Sequence, residues 1–139
     1  MGYEMNAKFF LMQYGRAAAK AETIKNELEE LRAKRDDLQG LQVEERVQTS
    51  HKPDKIGELI AQITDLEADL MDAKAEALEV MLEVDAVINK VSDPLYQLLL
   101  HDRYIRLHKW TVIADDMHYS YTGIMAVHKR ALAEIEKLI

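Results

Sequence analysis

The chain has no cysteine, two prolines, five glycines and only 6 % aromatic residues among 139. Without cysteine there are neither disulfides nor thiolate metal sites, and nothing calls for an oxidising compartment. So few prolines and glycines leave little to break long helices. Runs rich in Val, Thr and aromatics, which would mark strands, are missing. No apolar run is long enough to span a bilayer, and Met1-Gly2-Tyr3-Glu4-Met5 lacks the basic-then-apolar layout of a signal peptide. These absences point to a cytosolic protein with no membrane association. What is present is Ala, Leu, Glu, Lys and Arg in long stretches, the composition of extended helices.

Charge is distributed unevenly. Residues 1–91 carry 12 basic and 19 acidic side chains, which accounts for the whole formal charge of −7. Residues 92–139 carry six of each, and four of the five histidines. An acidic N-terminal part is a poor partner for nucleic acid or an anionic membrane.

Within 1–91 the apolar positions run Phe10, Tyr14, Ala17, Ala21, Ile24, Leu28, Leu31 and Leu38, broken only by Arg35. A second series runs Ile56, Leu59, Ile63, Leu66, Leu70, Ala73, Ala77, Val80, Val84, Val87 and Val91. Alternating steps of three and four make each series a heptad seam, suited to burying a narrow stripe against another helix. Between them, Gly40 can end the first helix, and Asp54 after Pro53 can cap the second. Folding the chain about Val47 sets Leu31 against Ile63, Leu28 against Leu66, Ala21 against Ala73 and Ala17 against Ala77. Small residues then meet small ones, whereas a slip of one heptad would leave voids. The expected form is an antiparallel, coiled-coil-like hairpin over 1–91, with its loop at 40–54 and arms roughly 50 Å long.

Ser92-Asp93-Pro94 starts a new helix, with a capping side chain and proline in the first turn. Its apolar positions are Leu95, Leu98, Leu99, Tyr104 and Leu107. A polar break at His108-Lys109 precedes a short helix from Trp110 to Met117. His118-Tyr119-Ser120 turns into a last helix that buries Ile124, Val127, His128 or Ala131, Leu132, Ile135 and Leu138. Trp110 and Tyr104 read as core anchors. A short helix, a tight turn and a longer helix form a helix-turn-helix type of unit, whose second helix can enter a major groove. The fold class is therefore all-α, a long hairpin followed by a three-helix, helix-turn-helix-type unit over 92–139.

The stretch Trp110 to Ser120, followed by Val127-His128-Lys129-Arg130-Ala131-Leu132, resembles region 4 of bacterial sigma factors. It more closely resembles a family of small phage and prophage proteins from Gram-positive bacteria, distantly related to region 4. Met5-Asn6-Ala7-Lys8, Arg46 to Ser50 with Asp54-Lys55, Ile63 to Glu67, and Asp93-Pro94 with Leu100 to Tyr104 extend the resemblance over nearly the whole chain. It implies a DNA-binding fold and a role in transcription in the bacterial host cytoplasm. The implied partners are DNA, host RNA polymerase or phage proteins, and further copies of the chain. Where such recognition helices carry Arg and Gln, this one has Thr122, Gly123, Met125 and Ala126. Gly and Ala cannot make bidentate hydrogen bonds to base edges. Direct readout then falls to Ser120, Tyr121, Thr122 and Lys129, with Met125 for a thymine methyl. Arg103, Arg106, Lys109 and Arg130 are left to hold phosphates. A structural or assembly role, with the unit kept for packing, is the alternative.

Signs of catalysis are absent from the sequence. The acid pairs Glu29-Glu30, Asp36-Asp37, Glu44-Glu45 and Asp115-Asp116 read as solvated charge. His101 and His108 have no third ligand at useful spacing, and zinc needs at least three. There is no phosphate-binding glycine loop and no nucleophile motif. The expectation is a non-enzyme without metal or cofactor.

Overall fold

A computed structural model describes residues 3–44 and 54–139. The loop positions 45–53, including the Thr49-Ser50-His51 cluster and Pro53, lie outside the described residues. The helices are α1 (Tyr3–Leu11), α2 (Gln13–Glu44), α3 (Lys55–Ile88), α4 (Pro94–Leu100), a π-helical turn at His101–Ile105, α5 (Trp110–Asp116) and α6 (Tyr121–Glu136). Among the described residues there is no strand. The chain divides into two compact units, one of residues 19–75 and one of residues 1–18 with 76–139. The division cuts α2 and α3 at positions that mirror each other about Val47, and it does not follow the helix start at Ser92-Asp93-Pro94.

The first unit is the antiparallel pair made by residues 19–44 of α2 and 55–75 of α3. Leu28, Leu59 and Ile63 are buried, with Leu31, Leu38, Leu66 and Leu70 packed against them. All the seam positions expected from Ala21 to Leu38 and from Ile56 to Ala73 are buried or half-buried. Arg35, the seam's interruption, is half-buried and turns to the Asp36 carboxylate at 3.3 Å. Arg32 bridges to Glu67 on the other arm at 2.8 Å. Folding about Val47 leaves these two about five residues, or ~7.5 Å, apart along the axis, a gap their long side chains can span. Asp54 caps α3 as expected, its Oδ1 accepting from the Gly57 amide at 2.8 Å. A Cβ at Gly57 would collide with that carboxylate, so the glycine is what lets the cap close. Gly40, by contrast, does not end α2, which continues to Glu44. Nothing surrounds it, and a lone exposed helical glycine costs only about 1 kcal/mol.

The second unit holds the larger core. Ala7 and Leu11 of α1, Val84, Ile88 and Val91, Leu99, Leu100 and Tyr104, Ile113 and Ala114, and Ile124, Val127, Ala131, Leu132 and Ile135 form one buried cluster. Leu11 is fully buried, whereas Phe10, the seam's expected first member, only packs against the cluster. Leu11 follows Ala7 by one helical turn, and these two rather than Phe10 form the fully buried face there.

Asp93 rather than Ser92 caps α4, accepting from the Leu95 amide at 2.9 Å, with Pro94 in the first turn. The π turn then widens the helix. The Arg106 amide reaches His101 O and the His108 amide reaches Asp102 O, both at 2.9 Å. Leu107 is left in the left-handed region with φ 60°. This wide exit takes Leu107 out of the core, and the α4 face is built on Leu99 and Leu100, with Leu98 exposed. Leu138, past the end of α6, is exposed as well.

Candidate nucleic-acid interface

The connection from α5 to α6 is built from backbone hydrogen bonds. The Tyr119 amide donates to Ala114 O at 2.9 Å, and the His118 amide to Asp115 O at 3.1 Å. His118 adopts φ 60°. This is the Schellman pattern, with histidine in the left-handed place that glycine usually fills. Ser120 then opens α6, its Oγ accepting from the Gly123 amide at 3.0 Å. A Cβ at Gly123 would lie 3.1 Å from that Oγ and 3.3 Å from the Tyr119 ring. The sequence-expected turn is thus in place, and the side chain of Ser120 is committed to the cap.

Beyond the cap, Tyr121, Thr122, Ala126, Lys129 and Arg130 are exposed along the outer side of α6. Met125 is half-buried and packs against the core. The four phosphate candidates separate into two groups. Arg103 donates to His108 O at 3.0 Å and lays its guanidinium 4.7 Å from the centre of the Trp110 ring. Arg106 is bound to the Asp102 carboxylate at 2.7 Å. Lys109 and Arg130 are exposed, as is Lys129, and none of the three forms an ion pair among the described residues. Asp115 and Asp116 place two exposed carboxylates on α5.

Behind this surface lies a polar cluster whose connections the sequence does not announce. The Tyr104 hydroxyl is 2.6 Å from His128 Nε2, both residues being buried. Trp110 lies across the His128 ring at 4.5 Å. Burial, then the charges of Lys8 and Arg103, pushes the His128 pKa down to about 4, so the imidazole is neutral near pH 7. Burial pushes the Tyr104 phenol up to about 12, with Arg103 opposing it. The phenol is therefore the donor and His128 Nε2 the acceptor. His128 and Ala131, alternatives for the buried face of the last helix in the sequence, are both buried, and His128 is hydrogen-bonded there. Trp110 joins the core only half-buried, because one side of its ring faces Arg103.

His101 is likewise held from within, its Nε2 lying 2.9 Å from Asp85 Oδ1 and 3.2 Å from Asn89 Oδ1. Gln97 fastens the same corner by donating to the Asn89 and Val91 carbonyls. A hint of these partners lay only in the spacing Asp85-x3-Asn89, one face of a helix; nothing local tied it to His101. Among the described residues, no three His, Asp or Glu side chains are grouped to hold a metal ion, and no helix is long and apolar enough to cross a membrane.

No curated protein and no solved structure matches the chain. Residues 39–136, which take in the end of α2 and everything from α3 to the close of α6, match the family model described as "Protein of unknown function (DUF1492)". With well over half its length matched, the chain belongs to that family.

Proposed function

We propose that this protein is a phage-derived transcriptional regulator that binds DNA through α5, its turn and α6, in the manner of sigma region 4. The hairpin would serve oligomerisation or docking on host RNA polymerase or a phage protein. The observation that carries the reading is the seven-residue helix, Schellman turn and Ser120-capped sixteen-residue helix, with the first outward turn of the long helix left exposed. In this reading Tyr121, Thr122 and Lys129 face the bases, Met125 gives an apolar edge, and Lys109 and Arg130 hold phosphates. Ser120 contributes by fixing the helix start. Arg103 and Arg106, occupied by His108 O and Asp102, support the unit from behind. The role needs no catalytic residue and no cofactor, and it belongs in the cytoplasm of a bacterial host.

An electrophoretic shift assay against pooled phage promoter fragments over a salt series tests this. Each phosphate neutralised adds about −0.9 to the slope of log affinity against log salt. Lys109→Ala with Arg130→Ala should flatten that slope by roughly 2 and weaken all sequences alike, while Arg106→Ala leaves it nearly unchanged. Thr122→Arg or Ala126→Gln should add about 1–3 kcal/mol of discrimination for a good bidentate contact. Gly123 is a poor place for the same experiment, since a side chain there crowds the cap.

The alternative, an assembly protein that keeps the unit for packing, draws on two observations. Two of the four candidate arginine and lysine anchors are already engaged, Arg103 by His108 O and Arg106 by the Asp102 carboxylate, and Asp115 and Asp116 are exposed on α5. A folded protein that gives no shift at low salt would decide for it.

A further inference from the structure

The face of α3 that points away from the α2 seam is not the charged surface usual for the outside of a hairpin. Ile60, Ala68, Met71, Ala75, Leu78 and Leu82 are all exposed, with Met71 at 72 %, Leu78 at 54 % and Leu82 at 58 %. From Ala68 onward their steps are three, four, three and four, a second heptad seam on the same helix. Ala86 prolongs it, so that from Ile60, beside which Ala61 lies, the stripe covers about 39 Å of helix at 1.5 Å per residue. At 100° per residue the stripe has a large edge (Ile60, Met71, Leu78, Leu82) and a small edge of alanines. Alongside the small edge runs a row of carboxylates, Asp65, Asp72, Glu79 and Glu83, all exposed and without ion pairs among the described residues.

We infer that this face of α3 is a docking surface for an amphipathic helix of another protein, one with an apolar seam flanked by lysine or arginine. Alanines let a second backbone come close, so the partner's large residues can cover them while its basic side chains reach the carboxylate row. The charge pattern rejects a second copy of this chain as the occupant. In an antiparallel pair the carboxylate row would meet itself. In a parallel pair it would meet the opposite flank, whose charged members are Glu67, Lys74 and Asp85. Like charges across a helical seam oppose association. This inference gives a chemistry to the partner-docking role proposed for the hairpin and is independent of DNA binding.

The test uses the full chain and a labelled amphipathic peptide of about four heptads, with leucine at the seam and lysine on both flanks. A peptide identical but for glutamate flanks serves as control. Fluorescence anisotropy should show the basic peptide binding at least tenfold more tightly than the acidic one. Met71→Glu with Leu78→Glu, at positions already exposed, should weaken it at least tenfold with unchanged circular dichroism. Asp72→Lys with Glu79→Lys should reverse the preference between the peptides. Equal binding of both peptides, or no effect of the seam substitutions, overturns the inference. So does a dimer, seen by light scattering, that Leu78→Glu dissociates, because the occupant is then a second copy. The same variants should shift DNA as the parent does, so that failure here and failure of the DNA reading are told apart.

Discussion

The two units bury their apolar residues in different ways. Among the described residues of 19–75 the buried cluster has three members, Leu28, Leu59 and Ile63, on α2 and α3, and Ala73 is buried outside it. In the other unit fifteen come from segments as far apart as Ala7 and Ile135. A two-helix seam covers its side chains with the facing helix alone and leaves its edges in water. A core enclosed by several helices surrounds its members. Equal truncations should therefore cost more in the second unit, because a cavity there cannot be relieved by solvent or by a small shift of one helix.

Leu11→Ala breaks this contrast most directly, since it asks whether α1 belongs to the enclosed core. The expected cost is about 3 kcal/mol in urea unfolding, against about 2 kcal/mol for Leu28→Ala on the hairpin. A loss below that of Leu28→Ala would mean that α1 contributes little.

The next largest effect is on pH dependence. The His128 pKa lies near 4 in the folded chain and at about 6.5 when unfolded. Its neutral form is fully compatible with the fold above pH ~6.5. As pH falls from there towards 4, the unfolded chain takes up the proton first, and stability drops by up to about 3 kcal/mol. His128→Gln, which keeps a polar partner for Tyr104, should flatten the decline measured by denaturant unfolding between pH 7 and 4.

A smaller effect belongs to the hairpin. Asp54→Ala and Gly57→Ala should each cost about 1 kcal/mol in the melting of α3, the first by removing the cap and the second by displacing it. If Gly57→Ala proves neutral, the carboxylate has found another place. Last comes Arg32→Ala, where both partners of the 2.8 Å bridge are well exposed. Its loss should be a few tenths of a kcal/mol and should shrink further in high salt.

The same contrast explains what could be read from the sequence. A hairpin seam repeats every seven residues, so Ile24, Leu28, Leu31 and Leu38, and their counterparts from Ile56 to Leu70, announce themselves. The caps at Asp54, Asp93 and Ser120 are equally local, each a side chain reaching an amide two or three residues ahead. What escaped was non-local or depended on an irregular backbone. Ala7 and Leu11 have helical spacing, but nothing near them states that α6 is their neighbour. The π turn and the left-handed Leu107 carry no glycine to mark them, so Leu98 and Leu107 read as core and are exposed. For the candidate interface, residue types were legible but commitments were not. Arg103 and Arg106 look like free cations until Trp110, His108 and Asp102 are placed around them.

The position of Trp110 gives the molecule an optical reporter. It is the single tryptophan of the chain, and it sits against His128 and Arg103 in the enclosed core. Excited at the red edge, where tyrosines do not absorb, its emission follows that core and carries no direct signal from residues 19–75. Far-ultraviolet dichroism follows the helices of both units. The two signals recorded on one sample during unfolding therefore resolve the units without labels. Curves that coincide mean that the long helices α2 and α3 bind the units into one cooperative transition, and curves that separate date the loss of each.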